Sequence, residues 1–235
     1  MFKRVFVPTL AALFVLFGAT AAKAATSREA QDFIQDLSLK AIATVAVPNI
    51  SDSERSERFG RLFVSAFDIP EIGESVVGRR WRTATPAQQA EFLKAFQDTQ
   101  VLTWGRRFKD YDGVKLETGA ATLEGGAVWL IGSTIIPPHG DPTAMQWRVH
   151  QAANGSLRVI DIAVAGASMV LTYRDDYAAV LQSNGGNIDA LVVSMRAKDK
   201  RNNPLTAAVS GTNRVGAVAP SEAPPHAAAD ADPRP

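Results

Sequence analysis

The first half of the chain has hydrophobic residues at helical spacing. Two capping-box patterns, Thr26–Glu29 and Ser51–Glu54, predict the starts of two helices. Behind the first box, one apolar stripe is formed by Phe33, Ile34, Leu37, Ala41, Ile42 and Val45. A short helix that starts at Asp68-Ile69-Pro70-Glu71 and ends near Gly78 is expected next. Thr85, followed by a proline in the first turn and by Gln88 as its box partner, predicts a long helix over Pro86–Phe108.

The second half of the chain changes to a period of two. Four strands are predicted, over Val114–Thr118, Val128–Ile136, Met145–Gln151 and Leu157–Val164. In the third strand, Met145, Trp147 and Val149 alternate with polar residues, so one sheet face is expected to be buried and the other wet. An Asn-Gly pair predicts a hairpin between the last two strands. Helices over Met169–Gln182 and after Asn187 complete the pattern.

This order of elements predicts an α+β fold. We expect an antiparallel sheet of about four strands, with helices packed on one face. The domain is expected to span residues 25–200, a length usual for one domain.

The N-terminus has the parts of a secretory signal peptide. Lys3 and Arg4 precede the apolar run Val5–Ala22, and small residues follow at the positions that a signal peptidase reads. We therefore predict that residues 1–24 are a signal peptide, cleaved after Ala24. The alternative is an uncleaved anchor, for which the apolar run is short.

The C-terminus has the composition of a disordered tail. Proline, alanine, glycine and serine dominate residues 201–235, so little surface can be buried to offset the entropy of ordering. We predict a solvated extension there, with a tether or spacer as the alternative.

Charge and cysteine content exclude some classes of protein. Removing three basic residues with the signal peptide lowers the basic count from 25 to 22, against 24 acidic residues. A nucleic-acid binder normally has a basic excess, so no nucleic-acid partner is expected. The chain contains no cysteine, which excludes disulfides and thiol chemistry.

The usual catalytic and metal-binding patterns are missing from the sequence. His139, His150 and His226 do not have the spacing of a metal site. Neither a nucleophile elbow nor a phosphate-binding loop is present. We therefore expect no catalytic site, no metal and no cofactor.

Asp161 is the one carboxylate within an apolar strand. It could serve as a buried general base of a small cavity-type hydrolase or isomerase. More commonly such an aspartate faces water or accepts hydrogen bonds from a neighbouring loop. Both interpretations are open from the sequence.

Three segments of the chain, taken in order, carry a family resemblance. They are Phe67–Phe92 (FDIPEIGESVVGRRWRTATPAQQAEF), Asp161–Val170 with Tyr173-Arg174 on the next helix, and Gly185–Leu191. Together with the exported N-terminus they resemble the MlaC, or toluene-tolerance, family of periplasmic phospholipid-binding proteins. The long tail is a departure from that pattern. Hopanoid-associated relatives share the pattern, so a hopanoid is an alternative cargo.

The resemblance implies a lipid shuttle that makes and breaks no bonds. Family members hold phospholipid acyl chains in an apolar cavity between the sheet and the helices. They exchange lipid with an inner-membrane ABC-transporter complex and with an outer-membrane lipoprotein–porin complex. A periplasmic location and a part in outer-membrane lipid asymmetry are therefore expected.

Candidate lipid-binding residues follow from the predicted sheet face and helix stripes. On the sheet they are Met145, Trp147, Val149, Ile160, Ile162 and Val164. On the helices they are Phe92, Phe96, Trp104, Met169, Val170 and Tyr173. Each residue fits an ordinary packed core equally well, because periodicity does not distinguish a cavity lining from a filled interior.

Overall fold

The computed structural model describes most of the predicted domain. The described residues are 24–45, 47–107 and 113–202. Residues 1–23 of the predicted signal peptide and residues 203–235 of the predicted tail lie outside these ranges. Within them, no helix combines the length and the apolar character needed to cross a membrane.

The described residues form six α-helices, which begin close to where the sequence predicts them. They are α1 Ser27–Val45, α2 Asp52–Ala66, α3 Ile69–Val77, α4 Pro86–Arg107, α5 Met169–Ser183 and α6 Ile188–Asn202. Ser51 and Asp68 cap α2 and α3, each by accepting a hydrogen bond from the backbone N–H three residues later. Thr85 and Gln88 form the predicted box at the start of α4. A 3₁₀ helix that the sequence did not predict, Gly78–Thr83, links α3 to α4.

The chain divides into two units, Met1–Arg196 and Ala197–Pro235. The described part of the second unit is the end of α6, which runs to Asn202. The predicted boundary at residue 200 therefore falls within this helix. All features below belong to the first unit.

The sheet has five antiparallel strands in sequential order. They are β1 Lys115–Glu124, β2 Val128–Ile136, β3 Thr143–Gln151, β4 Leu157–Val164 and β5 Ala167–Ser168. The two-residue β5 pairs with the end of β4, in a segment too short to give a sequence signal. β1 runs six residues beyond its predicted end at Thr118, because its second half is mostly exposed and lacks hydrophobic alternation.

A β-bulge in β4 changes which side chains face inward. Trp147 pairs with Ile162, but Val149 pairs with Val159, which leaves Ile160 without a partner on β3. Val159, completely buried, therefore shares the inner face with Val149. Simple alternation places Ile160 there instead.

Two hydrophobic clusters fill the interior. The first, called the helical cluster below, combines residues of α2 to α6 around Phe92, with Val45 from α1. The second, called the sheet cluster, packs Ala30, Ile34 and Leu37 of α1 against the inner face of the sheet. The sheet residues of that cluster are Trp129, Ile131, Trp147, Val149 and Val159. The cavity described next lies where these two clusters meet.

Two contacts fix the position of α2. Arg55, buried, donates hydrogen bonds to the carbonyls of Val45 and Val47, and so places a positive charge at the C-terminus of α1. On another side α2 closely approaches α4, since a Cβ added at Gly105 would lie 2.8 Å from the Cα of Ser56. The spacing between α2 and α4 therefore depends on this glycine.

Candidate functional site

A cavity of about 500 Å³ lies between the inner face of the sheet and the helices. The part of its lining from the helices and their ends consists of Leu37, Ser38, Ala41, Ile42, Phe59, Leu62, Phe63, Phe67, Ile72, Phe96, Gln100, Thr103, Trp104, Met169, Val170 and Tyr173. The part from the sheet and the segment before it consists of Val114, Leu116, Ile135, Met145, Trp147, Asp161, Ile162 and Val164. Apolar side chains dominate both parts. Among the described lining residues there is no lysine, arginine or histidine.

Aromatic rings form a large share of the helical wall. Phe59, Phe63 and Phe67 follow one another at intervals of four residues, with ring centroids 5.6 and 4.6 Å apart. Across the cavity wall, Phe96 of α4 meets Tyr173 of α5 edge to face at 5.9 Å. These contacts give the wall a fixed shape without filling the space in front of it.

The polar groups of the lining are mostly paired within the protein. The Ser38 hydroxyl donates to the carbonyl of Ile34 at 2.7 Å. The indole N–H of Trp147 donates to the Ser133 hydroxyl at 3.1 Å. Both groups are thereby satisfied away from the cavity, which leaves its surface largely apolar.

Asp161 lines the cavity, but both of its carboxylate oxygens are engaged. The Ser168 hydroxyl donates to Oδ2 at 2.6 Å, and the backbone N–H of Val170 donates to Oδ1 at 3.1 Å. Ser168 also caps α5, by accepting a hydrogen bond from the N–H of Leu171. Asp161 therefore connects β4 to the start of α5 through these two hydrogen bonds. A structural role explains this carboxylate.

Neither of the described histidines, His139 and His150, lines the cavity. His150 lies 2.8 Å from Asp68, measured from Nε2 to Oδ2, and so connects β3 to the cap of α3. His139 is exposed, and His226 lies outside the described residues. Within the described ranges, no group of three or more His, Asp or Glu side chains is placed to hold a metal ion.

Nine of the twelve candidate lipid-binding residues line the cavity. They are Phe96, Trp104, Met145, Trp147, Ile162, Val164, Met169, Val170 and Tyr173. Phe92 and Val149 instead belong to the packed helical and sheet clusters, and both are completely buried. Ile160 is the bulged residue and lies in neither cluster. That the nine bind lipid remains a prediction.

The contribution of α1 and α2 to the wall was not predicted from the sequence. Leu37 and Ile42 of α1, and Phe59 and Phe63 of α2, all line the cavity. Their helical stripes are visible in the sequence, but a stripe does not specify whether it faces a neighbouring helix or empty space. Gln100 was not predicted to line the cavity either, because the polar residues of a long helix ordinarily face water.

Comparisons with known proteins agree with this arrangement. The family model of the MlaC protein matches residues 35–197. The toluene tolerance protein ttg2D of Pseudomonas putida is 21% identical over 137 residues, which is 58% of this chain and 63% of that protein. The chain thus spans less than two thirds of this curated relative.

One solved structure has the same fold. It is the phospholipid-binding protein from Ralstonia solanacearum, determined in complex with a phospholipid. The two structures superpose with a TM-score of 0.67 at 21% identity, over 74% of this chain and 98% of that one. The superposition confirms the predicted α+β fold.

Proposed function

Because the chain belongs to the MlaC family, we propose that it is a periplasmic carrier that holds the acyl chains of a phospholipid in its cavity. Membership of this family agrees with the resemblance seen in the sequence. It also confirms the prediction that the chain is not an enzyme. The structural neighbour from Ralstonia solanacearum, which contains a phospholipid, supports the choice of cargo.

The observation that carries this proposal is the apolar cavity itself. Its volume of about 500 Å³ lies within the range of roughly 300–1,000 Å³ usual for ligand sites. Each methylene that leaves water is worth about 0.8 kcal/mol, so exposing one ordinary acyl chain costs on the order of 10 kcal/mol. A carrier crossing an aqueous compartment needs such a shielded space, with few polar groups on its walls.

We further propose that the carrier exchanges lipid with membrane complexes at both ends of its path. The expected partners are an inner-membrane ABC-transporter complex and an outer-membrane lipoprotein–porin complex. The family membership and the predicted signal peptide support this part of the proposal.

Mass spectrometry of the protein purified from the periplasm tests the function directly. Native spectra are expected to show one stoichiometric phospholipid, and denaturing extraction should identify it. A protein without lipid, which also takes up none from phospholipid vesicles, would contradict the proposal. Recovery of a hopanoid instead would replace the phospholipid as cargo.

Two neighbouring isoleucines of β4 provide a matched pair of variants. Ile162 lines the cavity, whereas Ile160 is half-buried on the bulge outside it. Ile162→Asp is expected to lower phospholipid loading by at least about tenfold, since a carboxylate in an apolar cavity is costly. Ile160→Asp is expected to load like the unmodified chain. Thermal melts of both variants establish that they are folded.

A second variant tests the cavity without adding a charge that could unfold the protein. Ile162→Trp reduces the space in the cavity, and it is expected to lower the uptake of long acyl chains more than that of short ones. If the Ile162 variants and Ile160→Asp loaded equal amounts of phospholipid, the cavity would not be the site that holds the acyl chains.

A further inference from the structure

The side chain of Gln100 is a polar group in the apolar wall of the cavity. It lies on α4 with 3% of its surface exposed. Its Oε1 accepts two hydrogen bonds, from the indole Nε1 of Trp104 at 3.2 Å and from the hydroxyl of Tyr173 at 2.9 Å. An indole nitrogen is always a donor, so the oxygen of the amide must face Trp104. The orientation of the amide is therefore fixed by its neighbours.

This orientation leaves the amide nitrogen unused. Nε2 of Gln100 is buried and has no hydrogen-bond partner within the described part of the chain. A buried donor without an acceptor costs stability, which is why nearly all such groups in folded proteins are paired. The amides, hydroxyls and carboxylate discussed above all find partners inside the protein. Gln100 differs from them because it is a lining residue of the cavity whose buried donor has no acceptor in the protein.

Three properties define the acceptor that would complete this site. It must enter with the cargo, it must be an oxygen that accepts from a neutral N–H, and it must tolerate apolar surroundings. A phosphate group fails the third condition, because no described lining residue carries a positive charge to compensate for it. The carbonyl oxygen of an ester, uncharged and directly attached to an acyl chain, meets all three.

We propose that Gln100 donates a hydrogen bond from Nε2 to an ester carbonyl of the bound lipid, and thereby selects ester-linked glycerolipids. This inference rests on the proposed function as a lipid carrier. Trp104 and Tyr173 act as positioning residues, which donate to the amide oxygen and so leave the amide nitrogen as the donor without a partner in the protein. A cargo made of hydrocarbon alone leaves the donor unpaired and is bound less well.

A competition between two lipids isolates this hydrogen bond. Vesicles containing equal amounts of diacyl phosphatidylethanolamine and its dialkyl ether analogue, with chains of equal length, are incubated with the protein. The two lipids differ in the ester carbonyls, and native mass spectrometry gives the ratio in which they are bound. One net hydrogen bond corresponds to a preference of about 3–10-fold for the diacyl lipid. In Gln100→Met, which keeps the side-chain volume but has no donor, the ratio is expected to fall to about one.

Thr103 supplies the matched control. It lines the same wall of α4, three residues further along, and it also carries a polar group. Thr103→Val is expected to keep the ratio of diacyl to dialkyl lipid bound by the unmodified chain, whatever its total loading. Loss of the preference in Thr103→Val, with retention in Gln100→Met, would assign the donor to Thr103 and overturn the proposal.

The unmodified chain gives a test that does not depend on any variant. Loading of both lipids in equal amounts contradicts the role of Gln100 and leaves the carrier function intact, as would happen if a water molecule satisfied the amide. Loading of neither lipid contradicts the proposed function itself. Gln100→Leu, measured in the same way, is expected to agree with Gln100→Met.

Discussion

Two phenylalanines, one turn apart on α4, have different surroundings. Phe92 is completely buried, with ring contacts to Trp81, Phe96 and Tyr177 at centroid distances of 5.9–6.1 Å. Phe96 meets Tyr173 but also lines the cavity. Two residues of the same apolar stripe therefore have different roles, because Phe92 packs inside the helical cluster and Phe96 borders the cavity. What faces the stripe decides its role, and that depends on tertiary structure.

The sheet repeats this division along a single strand. Ile131 of β2 is completely buried in the sheet cluster, beneath α1. Ile135, four residues later on the same face, is half-buried and lines the cavity. The difference between a filled and an open interior predicts different costs for truncating the two kinds of residue.

The largest effect is expected for Phe92→Ala. Removing a ring that is surrounded on all sides loses its burial and leaves a void, so the free energy of unfolding should fall by about 3–5 kcal/mol. Urea denaturation measures this change. Leu171→Ala, at a residue that is 58% exposed, is the surface control and should alter stability by less than about 0.5 kcal/mol. If the free energy of unfolding decreased by less than about 1.5 kcal/mol in Phe92→Ala, Phe92 would border open space and would not be surrounded on all sides.

The two isoleucines of β2 give a closer comparison. Ile131→Ala should lower the free energy of unfolding by about 2–4 kcal/mol, because its cavity would form inside a packed cluster. Ile135→Ala should lower it by less than about 1.5 kcal/mol, because its side chain already borders free space. Denaturation of lipid-free protein measures both. Equal costs for the two substitutions would mean that the cavity is closed when lipid is absent.

A smaller effect is expected where α2 and α4 approach each other. Gly105→Ala forces the new methyl group against Ser56, so stability should fall by about 1–3 kcal/mol. Phospholipid loading should change as well, because α2 and α4 both line the cavity. Gly132→Ala is the matched control, since a Cβ there has no atom within 4 Å. If Gly105→Ala loaded as much phospholipid as the unmodified chain, the spacing between α2 and α4 would not control loading of the cavity.

Local signals in the sequence were sufficient for most of the fold. The capping residues Ser51, Asp68 and Thr85 are short-range patterns, and each is found capping or boxing the helix that it predicted. The alternation in β3 likewise gave its buried face, with Trp147 and Val149 inside. Such signals work because a helix start or a strand face is specified by a few neighbouring residues.

The candidate site depended on contacts between distant segments. The bulge in β4 is defined by its register with β3, so nothing near Ile160 in sequence reveals it. The pairing of Gln100 with Tyr173 joins residues 73 positions apart. The parts of the wall from α1 and α2 could not be predicted for a related reason. An apolar helical stripe has the same sequence pattern whether it faces a cavity or another helix.

The bulge at Ile160 also bears on how the length of this strand can vary. Without Ile160, β4 regains simple alternation, and the pairs Trp147–Ile162 and Val149–Val159 both keep their positions. Deletion of a residue elsewhere in β4 turns the side chains on one side of the deletion to the opposite face of the sheet. Ile160 is therefore the position in β4 at which a deletion between related chains leaves the inward-facing residues of the sheet in place.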